Sequence, residues 1–131
     1  MKKNTLIILS LAVIAMAVLA SAGQADSVIT KQADDMVVNT TSLTKNIRGY
    51  QGTTPVRIFI QKNKIVKIET LPNRETPKNL AMAKTMLDQF EGKSVKKAAK
   101  MQVDAVTGAT YTSKSLLKNV KAGLEYYKQH K

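Results

Sequence analysis

The sequence has no cysteine, no tryptophan and a single histidine, at position 130. Without cysteine there is no disulfide, no thiolate nucleophile and no sulfur ligand, so an exported fold of this composition is held together by packing alone. One histidine makes neither a His pair for a metal nor a triad with a nucleophile beside its base, which excludes metal and Cys-based catalysis as the chain's own chemistry. Only six aromatic residues are present, four Tyr and two Phe, and nucleic-acid binding is not expected in spite of the charge. Acidic residues are scarce as well: nine against 21 Lys and Arg, a formal net charge of +12. That balance favours anionic partners, such as nucleotides, phosphates, anionic lipid headgroups or acidic proteins.

The sequence has one long apolar run, at its start. Lys2 and Lys3 precede Leu6–Ala20, which is apolar except for Ser10, and Ala20-Ser21-Ala22 supplies the small residues that a signal peptidase accepts. Residues 1–22 therefore read as a signal peptide, with a second, weaker cut at Gly23-Gln24-Ala25. The alternative is an uncleaved anchor, since the run is only slightly short of the ~20 residues that span a bilayer. No Cys follows the run, which argues against a lipoprotein. Cleavage after Ala22 leaves 109 residues with 19 positive and nine negative side chains, a charge of +10. That is one small domain, able to bury a single core. It is expected outside the cytoplasm, in a periplasm or at the outer face of the cytoplasmic membrane, with peripheral membrane association as one use of its charge.

Residues 23–48 form a polar N-terminal segment, in which Val37-Val38 and Leu43 suggest a short strand and Gln32–Met36 a helical turn. Clear periodicity begins after Gly49-Tyr50-Gln51-Gly52. Val56, Ile58 and Ile60 alternate with Arg57 and Phe59, and Lys64–Thr70 alternates again. Between them Gln61-Lys62-Asn63 fits the left-handed backbone of a tight hairpin. Thr76 and Pro77 read as N-cap and first position of a helix to Phe90, with Leu80, Ala83, Leu87 and Phe90 at helical spacing and Gly92 as a left-handed stop. Ser94–Lys100 reads as a short basic helical turn, and Met101-Gln102-Val103 as a brief extended piece. A last helix, from Thr112 or Ser113 to Gln129, carries the stripe Leu116, Leu117, Val120, Leu124 and Tyr127, with Lys114, Lys118, Lys121 and Lys128 outside it. These elements predict an α+β fold, a small antiparallel sheet packed against two main helices.

The segment Asp104-Ala105-Val106-Thr107-Gly108-Ala109-Thr110-Tyr111-Thr112-Ser113 places two small residues among hydroxyls just before that helix. A helix start exposes unpaired N–H groups and the positive end of its dipole, which suits a phosphate, and small residues let it approach. The same pattern also describes an ordinary Gly turn capped by Thr112 or Ser113.

The run Asp104 to Thr110, followed by Tyr-Thr-Ser, resembles the flavinylation signature of the FMN-binding domain family. Relatives include the peripheral flavin subunits of the Rnf complex and of the sodium-pumping NADH:quinone oxidoreductase. The resemblance implies that Asp104, Thr107, Gly108 and Ala109 are recognition positions and that Thr110 is the acceptor of FMN, attached through a phosphoester by an FMN transferase that uses FAD as donor. Glu75-Thr76-Pro77 is similar to the family's Glu-Thr-Pro segment near the flavin; Asn73 stands where many relatives have His. The likeness extends over Gly49 to about Tyr126, and an FMN-binding domain is assigned to residues 49–131.

The chain's own chemistry agrees with an outside catalyst. A Thr hydroxyl needs a base or a metal to attack phosphorus, and no His or Cys lies near Thr110. Asp104 is either read by the transferase or fixes the turn through backbone N–H groups. Lys114, Lys118, Arg74 and Lys78 are candidates to stabilise charge on a reduced flavin, and Tyr50, Tyr111, Tyr126 and Phe59 to stack on its ring, Tyr111 being adjacent to the acceptor. With Thr112, Ser113, Glu75 and Thr76 these complete the expected cofactor-binding set. The resemblance implies an exported electron carrier, served by a membrane redox complex or another flavoprotein. Two rivals remain open: a flavin-dependent reductase acting on a small acceptor, and a cofactor-free basic binding module.

Overall fold

The computed structural model describes residues 27–131; the signal-segment reading falls outside the described residues. Four strands form one antiparallel sheet in the order β1 (Ile29–Gln32), β2 (Asp35–Asn39), β3 (Val56–Gln61) and β4 (Lys64–Thr70). Helices α1 (Pro77–Lys84), α2 (Val95–Lys100) and α3 (Thr110–His130) follow in sequence, so the fold is α+β as expected.

The polar N-terminal segment contributes to the sheet. Its residues 29–39 form a hairpin that extends the sheet, with Val38 opposite Ile58 and Met36 opposite Ile60. The helical turn expected at Gln32–Met36 is instead the tip of this hairpin, where Ala33 takes a left-handed φ of 53°. Leu43 lies in the turn after β2 and not in a strand. The β3–β4 hairpin forms as predicted, both Lys62 and Asn63 being left-handed (φ 52° and 62°), the geometry whose twist matches the flanking strands. The regular alternation expected in Lys64–Thr70 is interrupted. Phe59 pairs with Lys67 and Ile60 with Ile65, which leaves Val66 as the extra residue of a bulge. That one-residue slip puts Ile65 and Ile68, three apart, on the same core face.

Val56, Ile58 and Ile60 are fully buried beneath the helices, with Leu116, Val120 and Leu124 of α3 and with Met86 and Phe90. On the opposite face the Lys67 ammonium sits 4.6 Å from the centre of the Phe59 ring. The helix predicted over Pro77–Phe90 is α-helical to Lys84 and a 3₁₀ helix from Thr85 to Phe90. The Thr85 hydroxyl donates to the Met82 carbonyl at 2.7 Å where the winding tightens, and at three residues per turn Leu87 and Phe90 both stay on the buried side. Gly92 closes the segment with φ 79°. Near α2, the half-buried Lys121 ammonium of α3 donates to the carbonyls of Ala99 (2.9 Å) and Met101, so it is not the free surface lysine expected from its place outside the stripe. A cation on the last carbonyls of a helix offsets the negative end of its dipole.

A buried polar cluster ties β2, β3 and α3 together. The Asn119 amide oxygen accepts from the hydroxyls of Thr40 (2.7 Å) and Thr44, and its NH₂ donates to the Ser115 carbonyl at 3.0 Å. Thr54 and Ser115 share a hydroxyl bond of 2.6 Å beside it. One turn on, Gly123 lets α3 touch the sheet: a Cβ there would meet Ile58 Cδ1 at 2.7 Å and Thr40 Cγ2 at 2.9 Å.

Candidate functional site

The last helix starts at Thr110, two residues ahead of the earlier of the two expected starts. Gly108 makes the turn into it with φ 90°, and the Ala109 N–H returns to the Val106 carbonyl at 3.0 Å. Ala109 is the N-cap and offers no side-chain oxygen; the first helical bond runs from the Ser113 N–H to the Ala109 carbonyl at 2.9 Å. The N–H groups of Thr110, Tyr111 and Thr112 are therefore left free of the helix ladder, at the positive end of a 21-residue dipole.

The expected hydroxyl donors divide into two sets. Thr107 and Thr110 are exposed, and neither hydroxyl has a hydrogen-bond partner among the described residues. Thr112 and Ser113 are buried and already engaged: Thr112 donates to Glu75 Oε1 at 2.7 Å, and the Ser113 hydroxyl accepts from the Val106 N–H at 3.1 Å. These two bonds draw the would-be capping hydroxyls inward, and the helix extends back to Thr110. Asp104 is exposed and, among the described residues, makes none of the backbone bonds that would fix a turn. Thr76 stands at the N-cap of α1 with its hydroxyl unused.

Glu75 organises the surroundings. It is 6% exposed. Its Oε1 accepts from the Tyr50 N–H at 2.6 Å and from Thr112, and its Oε2 from Gln51 at 2.6 Å and Gly52 at 3.2 Å. Burial raises the carboxyl pKa, but the Thr112 hydroxyl and these three N–H groups outweigh it and hold the group below its usual range. Asn73, which stands where many relatives have His, aims Glu75 through a local turn: its side-chain oxygen accepts from the Glu75 N–H at 3.0 Å and its NH₂ donates to the Leu71 carbonyl at 2.9 Å. Gly49 is required beside it, since a Cβ would fall 2.2 Å from Oε1.

Held this way, the Tyr50–Gly52 loop lies against the start of α3. Tyr50 and Tyr111 are 63% and 67% exposed, and their rings stack at 6.2 Å between centroids and 29° between planes. With Gly108–Thr112 and Asn79 they line an open cleft of about 150 Å³. That holds about five waters' worth of volume, room for a phosphate and the first atoms beyond it. Of the other expected stacking partners, Tyr126 pairs with His130 at the far end of α3 and Phe59 lies across the sheet under Lys67. Lys78, Lys114, Lys118 and Arg74 do not line this cleft. Arg74 instead lines a second one of about 310 Å³, with Arg48, Gly52, Thr53 and Asn73. Sequence reasoning missed Asn79; only its place on the first turns of α1, after Thr76, hinted that it faces the same space.

The exposed Thr110 hydroxyl, the free N–H groups and the glycine turn fit a phosphate-bearing cofactor. The model of the FMN-binding domain matches residues 49–125, more than half of the chain. A comparison with curated proteins returned no match. The matched span runs from the glycine beside Glu75 to the last turns of α3 and so includes the whole cleft: the chain belongs to the FMN-binding domain family and is a flavoprotein whose cofactor is FMN.

Proposed function

We propose that FMN is carried covalently on Thr110 and that the protein is an exported electron carrier. The observation that carries this reading is the Thr110 side chain, exposed at the first position of α3 without an internal partner and beside three free N–H groups. In the attachment step the Thr110 oxygen attacks the FMN phosphorus of FAD, the bond to the adenylate breaks, AMP leaves with the electron pair, and the hydroxyl proton passes to the transferase. Asp104, exposed and uncommitted, is available for the transferase to read. The free N–H groups of Tyr111 and Thr112 would hold a phosphodiester, which keeps one negative charge.

Bound there, FMN supplies transfer of one or two electrons. Tyr50 and Tyr111 support its ring, and Glu75 holds Tyr50 in place. With four donors on its oxygens, Glu75 is a positioning residue rather than a proton source, and ring protonation is left to solvent at the open cleft. Covalent attachment is useful outside the cytoplasm, where a lost cofactor would not be replaced. The donor is a membrane redox complex or another flavoprotein.

The test is the intact mass of protein co-expressed with an FMN transferase. Wild type gains one FMN with loss of water and fluoresces after denaturation, Thr110→Ser does the same, and Thr110→Ala stays at its unmodified mass. A wild-type chain that remains unmodified would sink the proposal.

One observation favours the reductase as a second reading. The Arg48–Arg74 cleft is lined by Gln51 and Gly52 of the same loop whose Tyr50 lines the first cleft, and it would suit an anionic acceptor. Turnover of a small anion by loaded protein, lost in Arg74→Gln, would select it.

A further inference from the structure

Thr110 marks one pole of the molecule. The other is assembled from three segments distant in sequence. The β3–β4 turn is bonded to the stretch ahead of α2, where Lys64 bridges to Ser94, the Val95 N–H donates to the Asn63 carbonyl, and the Ile65 N–H donates to the Lys93 carbonyl, each of the two bonds 2.9 Å. The last turns of α3 join them through the Tyr127 hydroxyl on Asn63 Oδ1 at 3.3 Å. This brings together Lys62, Lys64, Lys93, Lys96, Lys97 and Lys100, beside an open cleft of about 430 Å³ that Lys128 and Lys131 also line. Only Lys128 among them has an ion-pair partner among the described residues, Glu125 at 3.4 Å. Asp34 in the β1–β2 turn and Asp35 at the start of β2, which accepts from the Gln61 amide at 3.4 Å, and Glu91 beside Gly92 are the acidic residues on the flanking segments.

We propose that this lysine pole docks the protein on an anionic lipid bilayer and turns the Thr110 pole away from it. Solubility alone would be served by basic residues spread evenly. Residue type decides which anion. Every basic side chain here is Lys, while all three Arg lie elsewhere, Arg48 and Arg74 by the flavin cleft and Arg57 on β3. Arginine's planar fork recognises a fixed carboxylate or phosphate in a defined geometry, whereas lysine is a mobile point charge. A broad patch of point charges without Arg suits a fluid, laterally averaged surface better than one acidic protein site. No Tyr or Phe lines the cleft among the lysines, as base stacking on a nucleic acid would require. The length of α3, 21 residues, separates the poles by about 30 Å, so docking here leaves the flavin cleft open to the aqueous side. The docking does not depend on the flavin reading.

The test compares two charge-matched variants of the full chain, Lys64→Glu/Lys96→Glu/Lys100→Glu at the pole and Lys45→Glu/Lys84→Glu/Lys118→Glu elsewhere. Co-sedimentation is measured with phosphatidylcholine vesicles containing about 30% phosphatidylglycerol, and each lysine near such a surface contributes about fivefold to partitioning. The polar triple should lose well over a hundredfold in binding while the control stays within a few-fold of wild type, and added salt should erase the difference. The matching Lys→Gln triple should lose binding to a lesser degree, with a circular dichroism melt like that of wild type. Equal loss in both triples, loss in neither, or no binding of wild type to anionic vesicles would overturn the proposal; the last would leave an acidic protein as the partner to seek.

Discussion

The Glu75 carboxylate faces four donors and, among the described residues, no cation. In Glu75→Gln the new NH₂ group cannot accept, so it stands against N–H donors that were satisfied before, a cost of about 1–3 kcal/mol. For a domain of this size that is a fall in Tm of about 4–8 °C per kcal/mol. The pH dependence has a definite sign. The native pKa is depressed, so the contribution of Glu75 is complete above the unfolded value, about 4.3. It is lost as pH falls from there toward the native pKa, because the unfolded chain takes up the proton first. Urea midpoints of the wild type should decline over that range, and Glu75→Gln should decline less. Equal slopes would show that the carboxylate is not what holds the loop. Thr110 is the opposite case: exposed and unbonded, it should be replaceable by Ala without loss of stability, which keeps the mass test free of folding artefacts.

At the scale of elements, the Tyr50–Gly52 loop and the start of α3 act as one piece through Glu75. Gly49→Ala places a Cβ 2.2 Å from Oε1 and should cost about 1–3 kcal/mol as an overpacked site. It should also change the near-UV tyrosine signal of the Tyr50–Tyr111 pair. Gly52→Ala, with nothing within 4 Å of the added carbon, should stay within about 0.5 kcal/mol of wild type. If both substitutions cost the same, the loop is not packed on Glu75. The β3–β4 hairpin, α1, α2 and α3 were legible in the sequence because each has a period, a cap or a turn residue of its own. Of the first hairpin only the Val37-Val38 strand was: Ala33 is a poor signal for a left-handed turn, and β1 has no apolar alternation of its own. The cluster of Thr40, Thr44, Thr54, Ser115 and Asn119 was invisible for a physical reason. Hydroxyl and amide side chains look alike in sequence whether they meet water or each other. The Asp104–Thr110 motif could be read locally, and Tyr50 stood among the stacking candidates; that Tyr50 and Asn79, from other elements, line one cleft with that motif required the tertiary fold.

For the whole molecule, charge is the feature that packing does not resolve. The chain carries +12, and only two ion pairs form among the described residues. Self-repulsion therefore opposes compaction, and screening should relieve it. Added sodium chloride should raise the urea midpoint; a fall would mean that attractive pairs dominate after all. The bonds from Asn119 to Thr40 and Thr44 bridge 79 and 75 residues, and this sets a timetable. A ribosome makes the partners of that cluster far apart in time, and closing so long a loop early has no compensating contact. The first hairpin can pair with β3 earlier, but its inner face and the hydroxyls of Thr40 and Thr44 wait for their cover until nearly all of α3 has been synthesised. Such a polypeptide stays threadable for most of its manufacture, and any enzyme that needs the finished cleft has to act after the final helix has docked.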